Sequence, residues 1–556
     1  MLRIPRTRQP RVWIALASTL ILALHVPFLL MLAGDAQVHL AFAEAFAAGR
    51  PFQYNPGDAL VMASSSPFWT LLLAAAFRLV GPWTALVVKL AAVAGWGAAS
   101  YLLYRAARGV WAWPRWQWLL LMALWLSSTA LIANALGGLE NVLSAAQLLL
   151  LYLGCVRGVR RLTWPLSFAL GLLLGWMLLT RMDAGVFGLV LLAVFAAVKW
   201  FQSAGRHRGA LAARLLLVVG LGLLVVAPWY IYQMQHTGRL LSDSALARFY
   251  LGRRGSIMLI QGGLYLHTKA VVTLVTLYLP LAAGAAVYAA AAARALWRAR
   301  GTLAAHLPAA FPALGALAVT GAGVAFYTFV VGAEHFGRYL LPIFPFFFLL
   351  GLAGWWQLLE GGRRWSPRLT RLGLVAAVVF LLAVSGVDFA RRVFLGDQYA
   401  NNLAATLLAP AQRQAYTTEF LESLGRLPNS TARVAVTEVQ LRYFVDERVN
   451  VLSLDGRTSA DALRVLDPVT LMPDFKFLFL QQRPDFVELG TWCQAGGWEK
   501  WLIRQPLPDN LLCQFERQAA GLPTGRSFDW DGRPVTLVGV SAAGAPHWVQ
   551  INWGDH

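Results

Sequence analysis

The chain has 556 residues, of which 58% are hydrophobic and only 13% are charged, and its mean hydropathy is +0.56. A soluble globular protein carries roughly a quarter charged residues, so this composition excludes an ordinary soluble protein. The formal net charge of +20 comes from arginines clustered between apolar runs, a pattern that indicates membrane topology and argues against a nucleic-acid partner.

The apolar runs, taken in chain order, predict a polytopic α-helical membrane protein, because runs of about 20 residues cross a bilayer. We expect about eleven membrane helices, at residues 12–33, 83–105, 116–135, 141–156, 163–180, 185–200, 211–233, 268–294, 306–331, 339–358 and 371–387. The first run lacks a small-residue cleavage motif, so we expect it to remain as a helix. A shorter run at 67–81 is marginal for spanning and predicts a re-entrant or surface-lying helix in the first outer loop.

The charges between these helices predict their orientation. Arginine clusters lie before the first helix and after every second helix, whereas acidic residues lie in the remaining loops. Since basic loops stay in the cytoplasm, the N-terminus is predicted to be cytoplasmic and the C-terminus extracytoplasmic. The acidic loops then share the outer face of the membrane.

The tail differs in kind from the rest of the chain. Short β-branched runs alternate with turns in RVAVTEVQLRYFVDERVNVLSLDG, and further strand patterns follow at RPDFVELG, VTLVGVSA and HWVQINW. We therefore predict a membrane domain at 1–387 and an extracytoplasmic α/β domain at 388–556. Cys155 fits a small core residue, whereas an oxidising compartment would allow Cys493 and Cys513 to pair.

The first outer segment, GDAQVHLAFAEAFAAGRPFQYNPGD, places Asp35, His39 and Glu44 directly after a membrane-length helix. Asp35 and His39 are four residues apart and share one face of a helix. All three could be ordinary loop polars at a bilayer surface. A carboxylate buried among apolar neighbours is costly without a partner or a role, however, so we predict that Asp35 is functional.

Two further motifs lie on the outer face. GGLEN contains Glu140, which either caps the following helix, where negative charge is favoured, or belongs to a site. LTRMDAG contains Arg181 and Asp183, which either anchor a helix at the lipid headgroups or bind a phosphate through the planar guanidinium.

Basic residues also occur in two outer loops. GAEHFGRYLLPIFPFF places His335 and Arg338 ahead of a helix in which Pro342 and Pro345 are expected to introduce a kink. His335 and Arg338 could hold an anionic lipid head or anchor the chain at the surface. The loop GRLLSDSALARFYLGRRGS contains Asp243 together with arginines that oppose the topological trend and indicate an anionic ligand, namely Arg239, Arg248, Arg253 and Arg254. A lipid phosphate would be one such ligand.

The order of these motifs resembles a known family. An Asp at the start of the first outer loop, then NPG, SSSPFWTLLLA, GLEN, TRMDAG and PWYIYQMQHTG, is similar to the GT-C superfamily of polyprenyl-phosphate-sugar-dependent glycosyltransferases. Within it, the chain is most similar to the bacterial cell-wall arabinofuranosyltransferase branch, over about residues 12–260. That branch tends to have two aspartates where this chain has Gly34 and Asp35, and a proline where it has Met182.

The resemblance implies a multi-pass glycosyltransferase of the bacterial plasma membrane, with Asp35 as its catalytic carboxylate. Asp35 would act as general base on an acceptor hydroxyl. The partners would be a polyprenyl-phosphate sugar donor, an extracytoplasmic glycan, lipid or protein acceptor, and membrane lipids. No cofactor is predicted, and a divalent metal has no motif to support it. We expect the substrates to be bound by His39, Glu44, Glu140, Arg181, Asp183, Asp243, His335 and Arg338, and the donor phosphate by Arg239, Arg248, Arg253 and Arg254.

Two other function classes are compatible with the composition. A transporter or flippase for lipid-linked sugars predicts polar residues deep within helices and inverted repeats. A scaffold for envelope assembly would leave Asp35 dispensable. Because the polar residues cluster at one face of the membrane, the sequence favours the transferase.

Overall fold

The structure, a computed structural model, describes most of the chain. The described residues are 10–203, 207–253, 257–260, 264–331, 336–360, 367–394, 400–402, 407, 410–436, 441–454, 458, 462, 474–489, 511–540 and 546–554.

Helices dominate the first 394 residues, as the apolar runs predict. They are α1 Pro10–Leu29, α2 Gly34–Ala47, α3 Pro67–Val80, α4 Thr84–Arg105, α5 Arg115–Ser127, α6 Thr129–Leu136, α7 Asn141–Arg160, α8 Trp164–Thr180, α9 Met182–Gln202, α10 Arg208–Thr237, α11 Asp243–Arg253, α12 Thr268–Arg298, α13 Leu303–Ala325, α14 Phe336–Tyr339, α15 Phe344–Glu360 and α16 Pro367–Phe394. Short π-helical turns extend α4 at Ala106–Val110 and α13 at Phe326–Val331. Three short strands lie among the helices: β1 Met31–Ala33, β2 Ile257–Ile260 and β3 Leu264–Leu266.

Seven of the described helical segments are long and apolar enough to cross a membrane, and one of them continues from α3 into α4. The α5–α6 pair, bent by 62° at its break, would make an eighth span. Three shorter apolar helices lie at Thr19–Leu29, Trp164–Thr180 and Phe344–Glu360. Each predicted membrane helix therefore overlaps a helix of the structure, and the polytopic helical class is confirmed.

One detail of the sequence prediction changes, and another agrees with the structure. The prediction that Pro342 and Pro345 kink a membrane helix is wrong, because α15 begins at Phe344 and Pro345 lies in its first turn, where proline is tolerated. The predicted short helix at 67–81 is a separate element, α3, which ends at Gly81 with a positive φ of 56°. Ser66 caps its start by accepting a hydrogen bond from the Trp69 amide.

Buried contacts fix the end of α1 beside the turn that precedes α7. The Lys89 ammonium is buried and donates to the carbonyls of Phe28, Met31 and Leu136. The Ala33 amide donates to the Gly137 carbonyl over 2.9 Å. A Cβ at Gly138, whose φ is +84°, would approach within 2.5 Å of Leu32.

These contacts bring two predicted motifs together. The start of α2, which carries Asp35, lies against the GGLEN turn, which carries Glu140.

The tail contains a six-stranded mixed sheet, which confirms the predicted α/β region. Its strands, after β4 Ala400–Asn402, are β5 Ala432–Val436, β6 Val449–Ser453, β7 Phe486–Glu488, β8 Ser527–Trp530, β9 Arg533–Val540 and β10 Pro546–Ile551. The spatial order is β6-β5-β7-β10-β9-β8, with β5 parallel to both neighbours and the other pairs antiparallel. The tail helices are α17 Pro410–Ser423, α18 Leu441–Phe444, α19 Phe475–Gln482 and α20 Leu511–Ala519.

The tail contacts the first outer segment at several points. Strand β4 pairs with β1 in an antiparallel register. The Asn55 amide donates to the Val451 carbonyl at the edge strand β6, and the Asn55 side-chain oxygen accepts from the Val451 amide. Arg413 of α17 binds both oxygens of Glu44, at 2.8 and 2.9 Å. The segment that carries Asp35 is therefore held between the helical part and the tail.

The structure describes two of the three cysteines, Cys155 and Cys513. Cys155 is free and buried. Cys513 takes part in a disulfide, whereas Cys493 lies outside the described residues, so their pairing remains a prediction.

Candidate active site

Asp35 lies in the first turn of α2, immediately beyond the end of the first apolar helix. Its carboxylate is partly exposed and forms an ion pair with the Arg338 guanidinium, which comes from α14. The two residues are separated by 303 positions in the sequence. A partly exposed carboxylate that is paired to a guanidinium accepts a proton more readily once that guanidinium is engaged elsewhere.

His39 lies one turn of α2 beyond Asp35 and is buried. Its Nδ1 is 3.0 Å from the Ser64 hydroxyl, and its Nε2 is 3.6 Å from a Glu140 oxygen. Burial lowers the pKa of His39 below its usual 6.5, while the nearby carboxylates of Glu140 and Asp35 raise it. His39 is therefore neutral at physiological pH and links the α2 helix to the SSSPFW loop.

Glu140 and Arg181 form the buried centre of the site. Arg181 donates to Glu140 over 2.8 Å, to the Asn141 side-chain oxygen, and in a two-point arrangement to Asp183 over 2.9 and 2.6 Å. Glu140 occupies the N-cap position of α7, as one interpretation of the sequence predicts, but its side chain makes no cap hydrogen bond and pairs with Arg181. The Arg181–Asp183 pair is buried among protein partners, and its guanidinium donates to protein oxygens.

Two tyrosines complete this cluster. The Tyr327 hydroxyl donates to Asp183, and the Tyr339 ring lies beside both guanidinium groups, 5.6 Å from that of Arg181 and 5.2 Å from that of Arg338. Such cation–π contacts stabilise buried guanidinium groups. We call the set Asp35, His39, Glu140, Arg181, Asp183, Tyr327 and Arg338 the charge cluster.

The structure places other predicted residues outside the charge cluster. Glu44 pairs with Arg413 of the tail. Asp243 accepts from the Met62 amide over 2.8 Å and pairs with Arg239, so both residues support the loop before α3. Their predicted roles in binding substrate and phosphate remain predictions.

The remaining predicted residues belong to α11 or lie outside the described part of the chain. Arg248 and Arg253 belong to α11. His335 and Arg254 lie outside the described residues.

Three contributors to the site were not predicted from the sequence. Ser64 and Asn141 both lie inside predicted motifs, SSSPFW and GLEN. The signal that could have identified them is the hydrogen-bonding capacity of their side chains. Tyr327 lies within an ordinary apolar run, and nothing in its sequence neighbourhood distinguishes it from an interfacial tyrosine.

The side chains of the charge cluster form ion pairs and hydrogen bonds with one another. Over the described part of the chain, no group of three or more His, Cys, Asp or Glu side chains is arranged to hold a metal ion. The acidic groups of the cluster face arginines, which are suited to anionic ligands such as phosphate.

The comparisons with known proteins concern the fold. No family model and no curated protein matches the chain. The structure is similar to the crystal structure of ArnT from Cupriavidus metallidurans bound to undecaprenyl phosphate, with a TM-score of 0.50 and 14% sequence identity over 97% of this chain and 98% of that chain.

Two further solved structures match with lower TM-scores. The apo form of ArnT from the same organism has a TM-score of 0.45 and 14% identity, over 88% of this chain and 97% of that chain. The apo oligosaccharyltransferase of Archaeoglobus fulgidus has a TM-score of 0.47 and 13% identity, over 82% of this chain and 65% of that chain. The likeness to undecaprenyl-phosphate-bound ArnT shows the fold alone, in which a polytopic helical membrane part is joined to an α/β tail.

Proposed function

We propose that this protein is a membrane glycosyltransferase that moves a sugar from a polyprenyl-phosphate donor to a glycan, lipid or protein acceptor on the extracytoplasmic face. The observation that carries the proposal is the position of Asp35. Its carboxylate is partly exposed at the end of the first apolar helix, is paired to Arg338, and belongs to the same charge cluster as the buried pair of Glu140 and Arg181. This arrangement supports the proposal because a carboxylate and a guanidinium, the latter suited to phosphate, lie in one place.

The residues support a balanced transfer reaction. Asp35 takes the proton of an acceptor hydroxyl as that oxygen forms a bond to the anomeric carbon of the sugar. The bond between this carbon and the phosphate oxygen breaks, and its electron pair leaves with the lipid phosphate. Arg338 neutralises the negative charge that develops on the departing phosphate. Glu140 and Asp183 keep Arg181 in place, which positions the turn and helix ends around Asp35.

Two lines of support concern the donor. The motif order resembles polyprenyl-phosphate-dependent enzymes, and the solved structure with a similar fold contains undecaprenyl phosphate. A sugar already joined to a phosphate carries its own leaving group, so the reaction outside the cytoplasm needs no nucleotide. Arabinofuranose is our first choice of sugar on the motif resemblance alone.

The test is sugar transfer by the purified protein in detergent. Synthetic polyprenyl-phosphate sugars, including arabinofuranose, would be offered with glycan and lipid acceptors to the native chain and to Asp35→Asn. We expect transfer by the native chain and a loss of at least about 100-fold in the variant, which is the usual contribution of a general base. Asp531→Asn, which changes an exposed tail carboxylate, is the matched control and should keep full activity.

Other outcomes would point elsewhere. Full activity of Asp35→Asn would remove Asp35 from the mechanism. Donor binding without transfer to any acceptor would favour the transporter, whereas no donor binding at all would favour the scaffold.

A further inference from the structure

The ion pair between Asp35 and Arg338 places the proposed base in contact with the proposed phosphate ligand. Their side chains are 23% and 15% exposed, so ligands can reach both. A carboxylate held by a guanidinium is a weaker base than one released from it. In this arrangement Asp35 is not yet prepared to take a proton from an acceptor.

One N–H group of the Arg338 guanidinium does not pair with Asp35. The Nε of Arg338 is buried and makes no hydrogen bond within the described part of the chain. A buried donor without an acceptor costs free energy, and an oxyanion that approached the guanidinium would satisfy it. Asp35 therefore does not use the whole guanidinium, and a phosphate with several oxygens could.

The backbone of Arg338 is fixed while its side chain has one strong partner. The Asn141 side-chain amide donates to the Arg338 carbonyl over 3.2 Å, and the oxygen of the same amide accepts from Arg181. Arg338 can thus exchange its carboxylate for another anion by a rotation of the side chain alone. The Tyr339 ring, 5.2 Å from the guanidinium, remains alongside.

The second arginine of the charge cluster cannot replace Arg338 in this role. Arg181 already donates to Glu140, Asn141 and Asp183, and its side chain is only 8% exposed. Arg338 is paired to Asp35 and is the more exposed of the two. An anion that enters beside Asp35 would meet Arg338 first.

We propose that Arg338 is a donor-responsive switch: it neutralises Asp35 in the donor-free protein, and the phosphate of the lipid donor takes over its guanidinium and releases Asp35. This inference rests on the proposed function. The donor must then bind before the acceptor is activated, because the base is released only when the leaving group is in place.

The test measures the reactivity of Asp35 toward a carbodiimide and an amine, read by mass spectrometry of the modified peptide. The probe is undecaprenyl phosphate without a sugar, so no transfer occurs, and its binding to the same samples is measured in parallel. Saturating lipid phosphate should increase the rate of Asp35 labelling at least about threefold, because loss of an adjacent cation raises the protonated fraction of a carboxyl group. Labelling of Asp531, an exposed tail carboxylate, should not change.

Two variants make the test specific. Arg338→Gln should give rapid Asp35 labelling without lipid and no further response to it. Arg426→Gln, which removes an arginine paired to Asp485 in the tail, is the matched control and should behave as the native chain. Arg338→Lys retains the positive charge and should give an intermediate basal rate if Arg338→Gln does not fold.

The outcomes separate the switch from the proposed function. Lipid phosphate that binds and leaves Asp35 labelling unchanged, or slows it, overturns the switch even if sugar transfer is observed. Basal labelling of Arg338→Gln as slow as that of the native chain also overturns it. Failure to bind lipid phosphate at all overturns both proposals, whereas transfer assays that fail with every donor count against the proposed function alone.

Discussion

His39 is the histidine of the charge cluster, a side chain whose ordinary pKa of 6.5 lies near neutral pH. Burial lowers its pKa below 6.5; among its neighbours, Glu140 and Asp35 raise the pKa, and Arg338 and Arg181 lower it. The unfolded chain therefore binds a proton at a pH where the folded chain does not. The contribution of His39 to the free energy of unfolding is complete above about pH 6.5 and is lost as the pH falls below it.

We predict that protonation of His39 lowers the thermal stability of the protein in detergent at acidic pH. The variant His39→Gln retains a hydrogen-bonding group for Ser64 but cannot titrate. We expect the apparent Tm of the native protein to fall further than that of His39→Gln between about pH 7 and about pH 5, as measured by thermal unfolding at each pH. Equal losses in the two proteins would show that another group causes the acid sensitivity.

At the same scale, the sequence identified several residues of the site but not their pairing. Asp35, Glu140, Arg181 and Arg338 all stood out as polar residues beside apolar runs. Their partners lie 41 residues away for Arg181 and Glu140, and 303 for Arg338 and Asp35. Which helix ends meet is decided by the packing of the whole bundle, and single-sequence patterns do not contain that information.

At the scale of elements, the first outer segment is the connection between the helical part and the tail. Asn55 is buried, and its amide forms two hydrogen bonds to the Val451 backbone, of 2.9 and 3.0 Å, at the free edge of β6. The Asn55 side chain pairs with Val451 as the backbone of a neighbouring strand would. Edge strands left without a partner expose unpaired backbone groups, so Asn55 both closes the edge and docks the tail.

Removal of this contact should loosen the tail. In Asn55→Ala, the Val451 amide and carbonyl lose their partners, at a cost of about 1–3 kcal/mol for each group left unsatisfied. We expect limited proteolysis to release the tail faster from Asn55→Ala than from the native chain. Arg50→Ala is the control, because the Arg50–Glu447 pair is exposed and such pairs contribute less than about 1 kcal/mol; equal release from both variants would contradict the docking role.

Elements were the part of the fold that the sequence predicted best. Apolar runs of membrane length and alternating β-branched runs depend on local pattern, and each of them coincides with a helix or a strand. The bend between α5 and α6, at Ser128, and the start of α15 at Phe344 were missed. Both depend on how the chain turns within the packed bundle, where neighbouring helices supply partners for freed backbone groups.

At the scale of the whole molecule, the function depends on which side of the membrane carries the charge cluster. The arginine distribution predicts that the loop after α12 is cytoplasmic and that the tail, with Asp35, lies outside. A lipid-linked donor is the expected substrate on the outer side, where a phosphate already joined to the sugar replaces nucleotide activation. The reverse orientation would remove that argument for the donor.

Thiol labelling tests the orientation. Cysteine would be introduced by Asp531→Cys in the tail, where the side chain is 46% exposed, and by Arg300→Cys in the turn after α12, where the side chain is also exposed. In spheroplasts, a membrane-impermeant maleimide should modify Asp531→Cys and should reach Arg300→Cys only after permeabilisation.

The native chain gives the background of this experiment, since the free Cys155 is buried. Modification of Arg300→Cys alone in intact spheroplasts would place Asp35 on the cytoplasmic side. The charge cluster would then face nucleotide-linked sugars, and the choice of a polyprenyl-phosphate donor would have to be abandoned even though the geometry of the base and its arginine stayed the same.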